Sequence, residues 1–226
     1  MIWRQELKYV ISGADRVQIL HRLQNAMTPD PFALADGTYR VRTLYFDDLF
    51  DSAMYDSLSG ASERAKYRLR MYNFDPGFLR LEEKRKRFNG GVKPSALLSR
   101  EEAERLIAGD AGFLAGRNEP FLQTVYAEAK SGGMTPRLIT DYTRVSFCAE
   151  GGDVRVTVDS DVRASRRTDA FFDRSDAGVP ILASGLCVLE IKYNEYLPAY
   201  VPALIGLKDR PRTAMSKFAA GGGLLY

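Results

Sequence analysis

The chain has one histidine, His21, and two cysteines, Cys148 and Cys187, in 226 residues. A single imidazole argues against a His-based nucleophilic triad and against a zinc site built from several imidazoles. The cysteines lack CxxC spacing, which points to two reduced, mostly buried thiols in a cytoplasmic protein over a structural disulfide. No run approaches the ~18 apolar residues of a membrane span. The N-terminus, Met1-Ile2-Trp3-Arg4-Gln5-Glu6, turns charged at once and has no apolar stretch of a secretory signal. Net charge is only +3, from 32 Lys+Arg against 29 Asp+Glu, so no global field announces nucleic-acid binding. There is no GxxxxGK[ST] loop, and any nucleotide must therefore be held by side chains. With no linker, low-complexity tract or clean repeat, a single domain over 1–226 is expected. What is present, 45% hydrophobic residues with 11% aromatics, supplies an ample core and excludes a disordered chain.

The periodicity is strand-dominated, with helices inserted between strands. Gln5 to Ile11 alternates, with Glu6 and Lys8 opposite Leu7, Tyr9 and Ile11. Ser12-Gly13-Ala14-Asp15 reads as a capping box opening a helix to about Met27. A strand is predicted from Tyr39 to Phe46 and a short helix near Phe50 to Leu58. Arg64 to Tyr72 sets Lys66, Arg68, Arg70 and Tyr72 against Ala65, Tyr67, Leu69 and Met71. The return strand, Phe78 to Phe88, puts Arg80, Glu82, Lys84 and Lys86 on one side, and Asn89-Gly90-Gly91 closes it. Ser99 with Glu102 caps a helix to about Ile107, and another runs from about Phe121 to Lys130. Arg137 to Ala149 is a long strand with Tyr142, Arg144 and Ser146 on one face. Gly151-Gly152 turns it into Val154, Val156 and Val158, which alternate with Arg155, Thr157 and Asp159. Leu186 to Tyr193 places Val188, Glu190 and Lys192 together. The tail from Pro198 is helical in character and ends in Gly221-Gly222-Gly223.

Any one of these strands could be an antiparallel strand with a solvated face. As a set they say more. Long cations recur at i, i+2 (Arg68/Arg70, Lys84/Lys86), where like charges repel unless anions sit between them. Acids occur singly among them (Glu6, Glu82, Asp159, Glu190), which suits metal coordination. A sheet apolar outside and charged inside closes most economically as a barrel whose lumen takes a polyanion. Arg offers bidentate contacts to phosphate and Lys a point charge, while the few carboxylates would hold a divalent cation.

The ordered set Glu6-Leu7-Lys8-Tyr9, Tyr67-Arg68-Leu69-Arg70, Leu81-Glu82-Glu83-Lys84, Tyr142-Thr143-Arg144, Val154-Arg155-Val156, Leu189-Glu190-Ile191-Lys192 and Ser216-Lys217-Phe218 resembles the VTC domain. That is the catalytic domain of the vacuolar transporter chaperone family, within the triphosphate tunnel metalloenzymes. The resemblance implies an α+β fold: an eight-stranded antiparallel tunnel with helices outside and a C-terminal helix at the tunnel. It implies a polyphosphate polymerase that adds the ATP γ-phosphate to a growing chain with a divalent metal, manganese or magnesium. Carried over by position, Lys217, Lys84, Arg68 and Arg70 would be catalytic. Lys8, Lys86, Lys93, Tyr142, Arg144, Arg155, Lys192 and Ser216 would bind phosphates, and Glu190 and Glu6 would hold the metal. Glu190 could equally pair with Lys192, and Lys217 could be a solvated helix residue. The partners implied are ATP and polyphosphate, with no nucleic acid and no membrane span.

One departure bears on the reaction. The hydrolytic tunnel enzymes open with ExExK, whereas here Arg4 stands in place of the first acid of Arg4-Gln5-Glu6-Leu7-Lys8. One fewer carboxylate favours transfer or binding over hydrolysis. The alternatives are a tripolyphosphatase or nucleoside triphosphatase on the same fold, and a non-catalytic polyphosphate-binding module. Single-stranded nucleic-acid binding ranks last, because the aromatics lie mostly on the apolar faces.

Overall fold

Alternation of apolar and ionic residues sets the strands, which bury one face. The computed structural model describes residues 5–87, 90–149, 153–206 and 210–225. In order these form β1 (Gln5–Ser12), α1 (Gly13–Gln24), β2 (Thr28–Pro29), β3 (Thr38–Asp47), α2 (Ser52–Ser59), β4 (Arg64–Tyr72), β5 (Leu79–Arg87), β6 (Gly90–Val92) and β7 (Ser95–Leu98). They continue with α3 (Arg100–Ile107), α4 (Pro120–Gly132), β8 (Thr135–Ala149), β9 (Val154–Ser165), β10 (Val179–Pro180), β11 (Leu186–Tyr193), α5 (Tyr200–Ile205) and α6 (Lys217–Leu225). Eight strands follow one hydrogen-bonded path, β1-β11-β9-β8-β3-β4-β5-β6, and β2, β7 and β10 pair with β8, β5 and β9. Every pairing with a recorded register is antiparallel. Trp3, Arg4, Asn89 and the Gly151-Gly152 turn lie outside the described residues.

Local sequence sets the helix starts. Ser12 Oγ accepts from the Asp15 N–H while the Asp15 carboxylate accepts from the Ser12 N–H, and Ser99 and Glu102 repeat the exchange at α3. Three expectations fail. The first helix stops at Gln24, because Asn25 caps it and Met27 turns into the core instead of extending the helical face. The terminal glycines lie inside α6, not beyond it. A Cβ on Gly221 would stand 2.9 Å from both Leu138 Cδ2 and Ala164 Cβ, so only glycine admits this approach. Gly90 and Gly91 do not end the pairing either: they open β6, which pairs back onto β5.

The chain divides into two compact units, and β3, β8 and β9 contribute residues to both. The first takes the described residues within Met1–Arg40, Tyr142–Val162 and Leu182–Met215. Its core joins Tyr9 and Ile11 of β1, Val156 and Val158 of β9, and Leu189 and Ile191 of β11 to Ile19 and Leu23 of α1 and Val201 and Ile205 of α5. The second takes those within Val41–Asp141, Arg163–Ile181 and Ser216–Tyr226. There Leu44, Phe46, Leu69, Met71, Leu79 and Leu81 of β3, β4 and β5 pack beneath Leu106 of α3 and Leu122 and Val125 of α4. Each such side chain, fully buried, contributes about 1.5–3 kcal/mol. In both units the helices cover the apolar face and leave the ionic face to carry chemistry. Tyr9 and Tyr67 belong to the cores, as expected.

Charged side chains occur on the apolar face as well. Arg42 is among the most buried side chains; its Nε is 2.7 Å from Asp141 Oδ2, and it donates to the carbonyls of Ala170 and Asp176 at 3.2 and 2.6 Å. It is a fully partnered structural pin. Cys148 and Cys187 are both free thiols. No helix among the described residues is long and apolar enough to cross a membrane.

Candidate polyanion site

The ionic face of the second unit is built by register. β3 and β5 flank β4 so that Tyr45 and Glu82 stand opposite Arg68, and Thr43 and Arg80 opposite Arg70. Glu82 is the hub. Arg68 Nε lies 2.7 Å, and Arg70 Nη1 3.7 Å, from its Oε2, and Lys93 Nζ 3.1 Å from its Oε1. Burial favours the protonated acid, yet Arg70, Arg68 and Lys93 outweigh it and hold the carboxyl at about 2. Conversely, lost hydration and the charge of Arg68 and Arg70 bring Lys93 down to about 8 against the pull of Glu82. The repulsion between Arg68 and Arg70 is thus met first by a carboxylate of the chain itself, not by a bound anion. Three cations thus converge on one buried acid.

Helix α6 meets this face at its N-terminus. Lys66 Nζ donates to Ser216 Oγ at 3.1 Å and lies 5.4 Å from the Phe218 ring centroid, and Phe218 stacks on Tyr45 at 4.6 Å. Burial would raise the Tyr45 phenol, but Arg68, Arg70 and Lys217 outweigh it and lower it. The same cations that would attract a phosphate therefore already act on a neutral side chain. Lys84 and Lys86 share the ionic face but are exposed, opposite Lys66 and Arg64.

The first unit carries a second ionic face of another kind. Lys8 Nζ sits 2.8 Å from Glu6 Oε1 and 3.8 Å from Glu190 Oε2, and donates to the Met215 carbonyl at 3.3 Å. Lys192 pairs with Glu190. Despite burial, Lys192, Lys8 and Arg144 keep the Glu190 carboxyl well below its usual range. Lost hydration takes Lys192 down to about 8, with Glu190 and Glu6 opposing. Arg144 forks onto the fully buried Asp159 at 2.6 and 2.8 Å and reaches the Tyr142 hydroxyl at 3.4 Å. Arg155 is held by Asp30, by Tyr39 Oη at 3.0 Å and by Ser146 Oγ at 3.0 Å. Its donors, expected on phosphate, are engaged within the protein.

Glu6 and Glu190 were expected to hold a divalent cation. They share Lys8 as a partner, and among the described residues no set of three or more His, Cys, Asp or Glu side chains gathers for a metal. Two carboxylates do not make a preformed cage. They do fit magnesium or manganese arriving with phosphate oxygens, which such ions take alongside one or two carboxylates.

Around Glu82 the structure brings together Arg68, Arg70 and Lys93; around Ser216, Lys66; around Glu190, Lys8, Lys192, Glu6 and Arg144. Lys66, Tyr45, Asp30 and Tyr39 were missed as site residues. Lys66 stood on the same i, i+2 ladder as Arg68 and could have been chosen. The other three depend on register and tertiary contact, which leave no local signal.

The sequence model described as the VTC domain matches residues 3–226. No curated protein matches the chain. Among solved structures, the putative adenylyl cyclase HpAC1 from Hippeastrum, described as having a dominant triphosphatase activity, aligns with a TM-score of 0.58 at 16% identity over 96% of this chain and 94% of that one. A putative adenylate cyclase from Bacillus halodurans aligns at 0.53 and 12% identity over 92% and 90%. The PH1012 protein from Pyrococcus horikoshii OT3 aligns at 0.52 and 13% over 95% and 97%. At these identities the likeness shows the fold, and it is the α+β antiparallel tunnel class expected from the sequence.

Proposed function

Because this chain belongs to the VTC domain family, we propose that it is a polyphosphate polymerase that transfers the γ-phosphate of ATP to a growing polyphosphate chain. The observation that carries this reading is the convergence of Arg68, Arg70 and Lys93 on the one acid Glu82. Phosphoryl transfer asks a protein mainly for positioning and for stabilisation of charge on the transferred group. Arg68 and Arg70 supply planar donors to phosphate oxygens, with Lys93, Lys84 and Lys86 as point charges. Ser216 and Lys217, at the start of α6, contact the group in transfer. A terminal oxygen of the chain forms the new P–O bond, and the bond to the β-phosphate oxygen of ATP breaks, releasing ADP.

In the first unit, Glu6 and Glu190 are the residues that would hold a divalent cation, with Lys8 and Lys192 beside them, while Arg144 and Arg155 stay on Asp159 and Asp30. When bound, such an ion neutralises phosphate charge and orients the oxygens. Until then Lys8 pairs with both carboxylates and Lys192 with Glu190.

Hydrolysis is the second reading, favoured by the fold shared with HpAC1 and its triphosphatase activity. Water would then take the place of the chain terminus. Incubating the full chain with ATP and Mn²⁺ decides between them: long-chain polyphosphate on a gel is the expected product. Orthophosphate alone would make it a triphosphatase, and tight tripolyphosphate binding without turnover would make it a binding module.

A further inference from the structure

β9 presents Val154, Val156 and Val158 to the core of the first unit, so Thr157 stands on the ionic face between Arg155 and Asp159. Thr157 is 2% exposed, and its Oγ1 has no hydrogen-bond partner among the described residues. Both neighbours on this face are engaged, Arg155 with Asp30, Tyr39 and Ser146, and Asp159 with Arg144. The strand gains nothing from this hydroxyl. Valine is isosteric, has at least equal strand preference, and already fills the alternate positions. A hydroxyl buried without a partner is destabilising, so its presence needs a cause.

The register supplies one. Thr157 lies directly opposite Glu190 in the antiparallel β11–β9 pair, which sets their Cβ atoms about 4.5–5.5 Å apart on the same face. Glu190 in turn lies opposite Lys8 on β1. A threonine oxygen beside an ionised carboxylate is a donor set for a hard divalent cation, the combination that phosphate-transfer proteins use for magnesium. We propose that Thr157 Oγ1 is a further oxygen ligand for the divalent cation at Glu190. This inference rests on the reading of Glu190 as a metal residue and adds to it a position that no charge pattern marks.

The test is a Mn²⁺ titration of the full chain with one equivalent of tripolyphosphate, reading protein-bound Mn²⁺ by electron paramagnetic resonance against a protein-free control. Thr157→Val and Thr157→Ala remove the oxygen at different side-chain volumes, Thr157→Ser keeps it, and Glu190→Gln removes the carboxylate charge. Thermal melts establish that each variant is folded. Thr157→Val and Thr157→Ala are expected to weaken Mn²⁺ roughly tenfold, with Thr157→Ser close to wild type. Wild-type affinity in both the Val and Ala variants, together with loss in Glu190→Gln, overturns the role of Thr157 and leaves Glu190 in place. Wild-type affinity in Glu190→Gln overturns the reading of Glu190 itself, and this inference with it.

Discussion

The two ionic faces look alike in sequence and differ in charge balance. In the first unit Lys8, Lys192, Arg144 and Arg155 meet Glu6, Glu190, Asp159 and Asp30, four cations against four acids. In the second, Arg68, Arg70 and Lys93 share the single acid Glu82. A row of lysines and arginines does not by itself mark an anion site. What marks one is the charge left over once the chain's own carboxylates are satisfied, because only that remainder gains by taking up phosphate.

The contrast can be broken most readily at Arg144. Its removal leaves Asp159 buried and uncompensated, so Arg144→Ala should destabilise the protein by about 3–5 kcal/mol in urea denaturation. A loss below about 1 kcal/mol would mean that the balanced pairs are not structural, and the distinction between the faces would go. Next comes Arg68→Ala. Glu82 keeps Arg70 and Lys93, so stability should change little, whereas tripolyphosphate affinity by calorimetry should fall roughly 10–100-fold, the worth of a charge-assisted contact. The reverse pattern would assign the second face to stability and the first to binding.

The smallest effect is in pH. In the proposed site Lys93 would meet phosphate as the ammonium form, and with its pKa near 8 affinity should drop a few-fold between pH 7 and 9, a fall that Lys93→Arg removes. Linkage to stability has the opposite sense. A lysine depressed from 10.5 to about 8 contributes stability that is complete above 10.5 and lost as pH falls through 8. Glu82, depressed from 4.5 to about 2, contributes stability that is complete above 4.5 and lost as pH falls toward 2. Acid titrations of wild type and Glu82→Gln, followed by circular dichroism, isolate that second contribution.

Much of the fold was legible. The bounds of β4, β11 and α3 follow from alternation and from the Ser99/Glu102 capping box, because both are local. The glycine run misled, because glycine's low helix propensity argues for an end, while close packing of α6 on Leu138 and Ala164 requires glycine within the helix. Arg42 misled too. A charge on an apolar face reads as a break in the pattern, and only the distant Asp141 and the carbonyls of Ala170 and Asp176 make it tolerable.

The sequence by itself determined which residues alternate, and hence which side chains share a face of each strand, since a period of two is a property of the extended backbone. Only the tertiary structure decided who stands opposite whom. Glu82 between Arg68, Arg70 and Lys93, Tyr45 under Phe218, and Thr157 across from Glu190 all come from register and packing between segments far apart in the chain. Electrostatic energy depends on the distances between charges, and those distances exist only once the strands are paired.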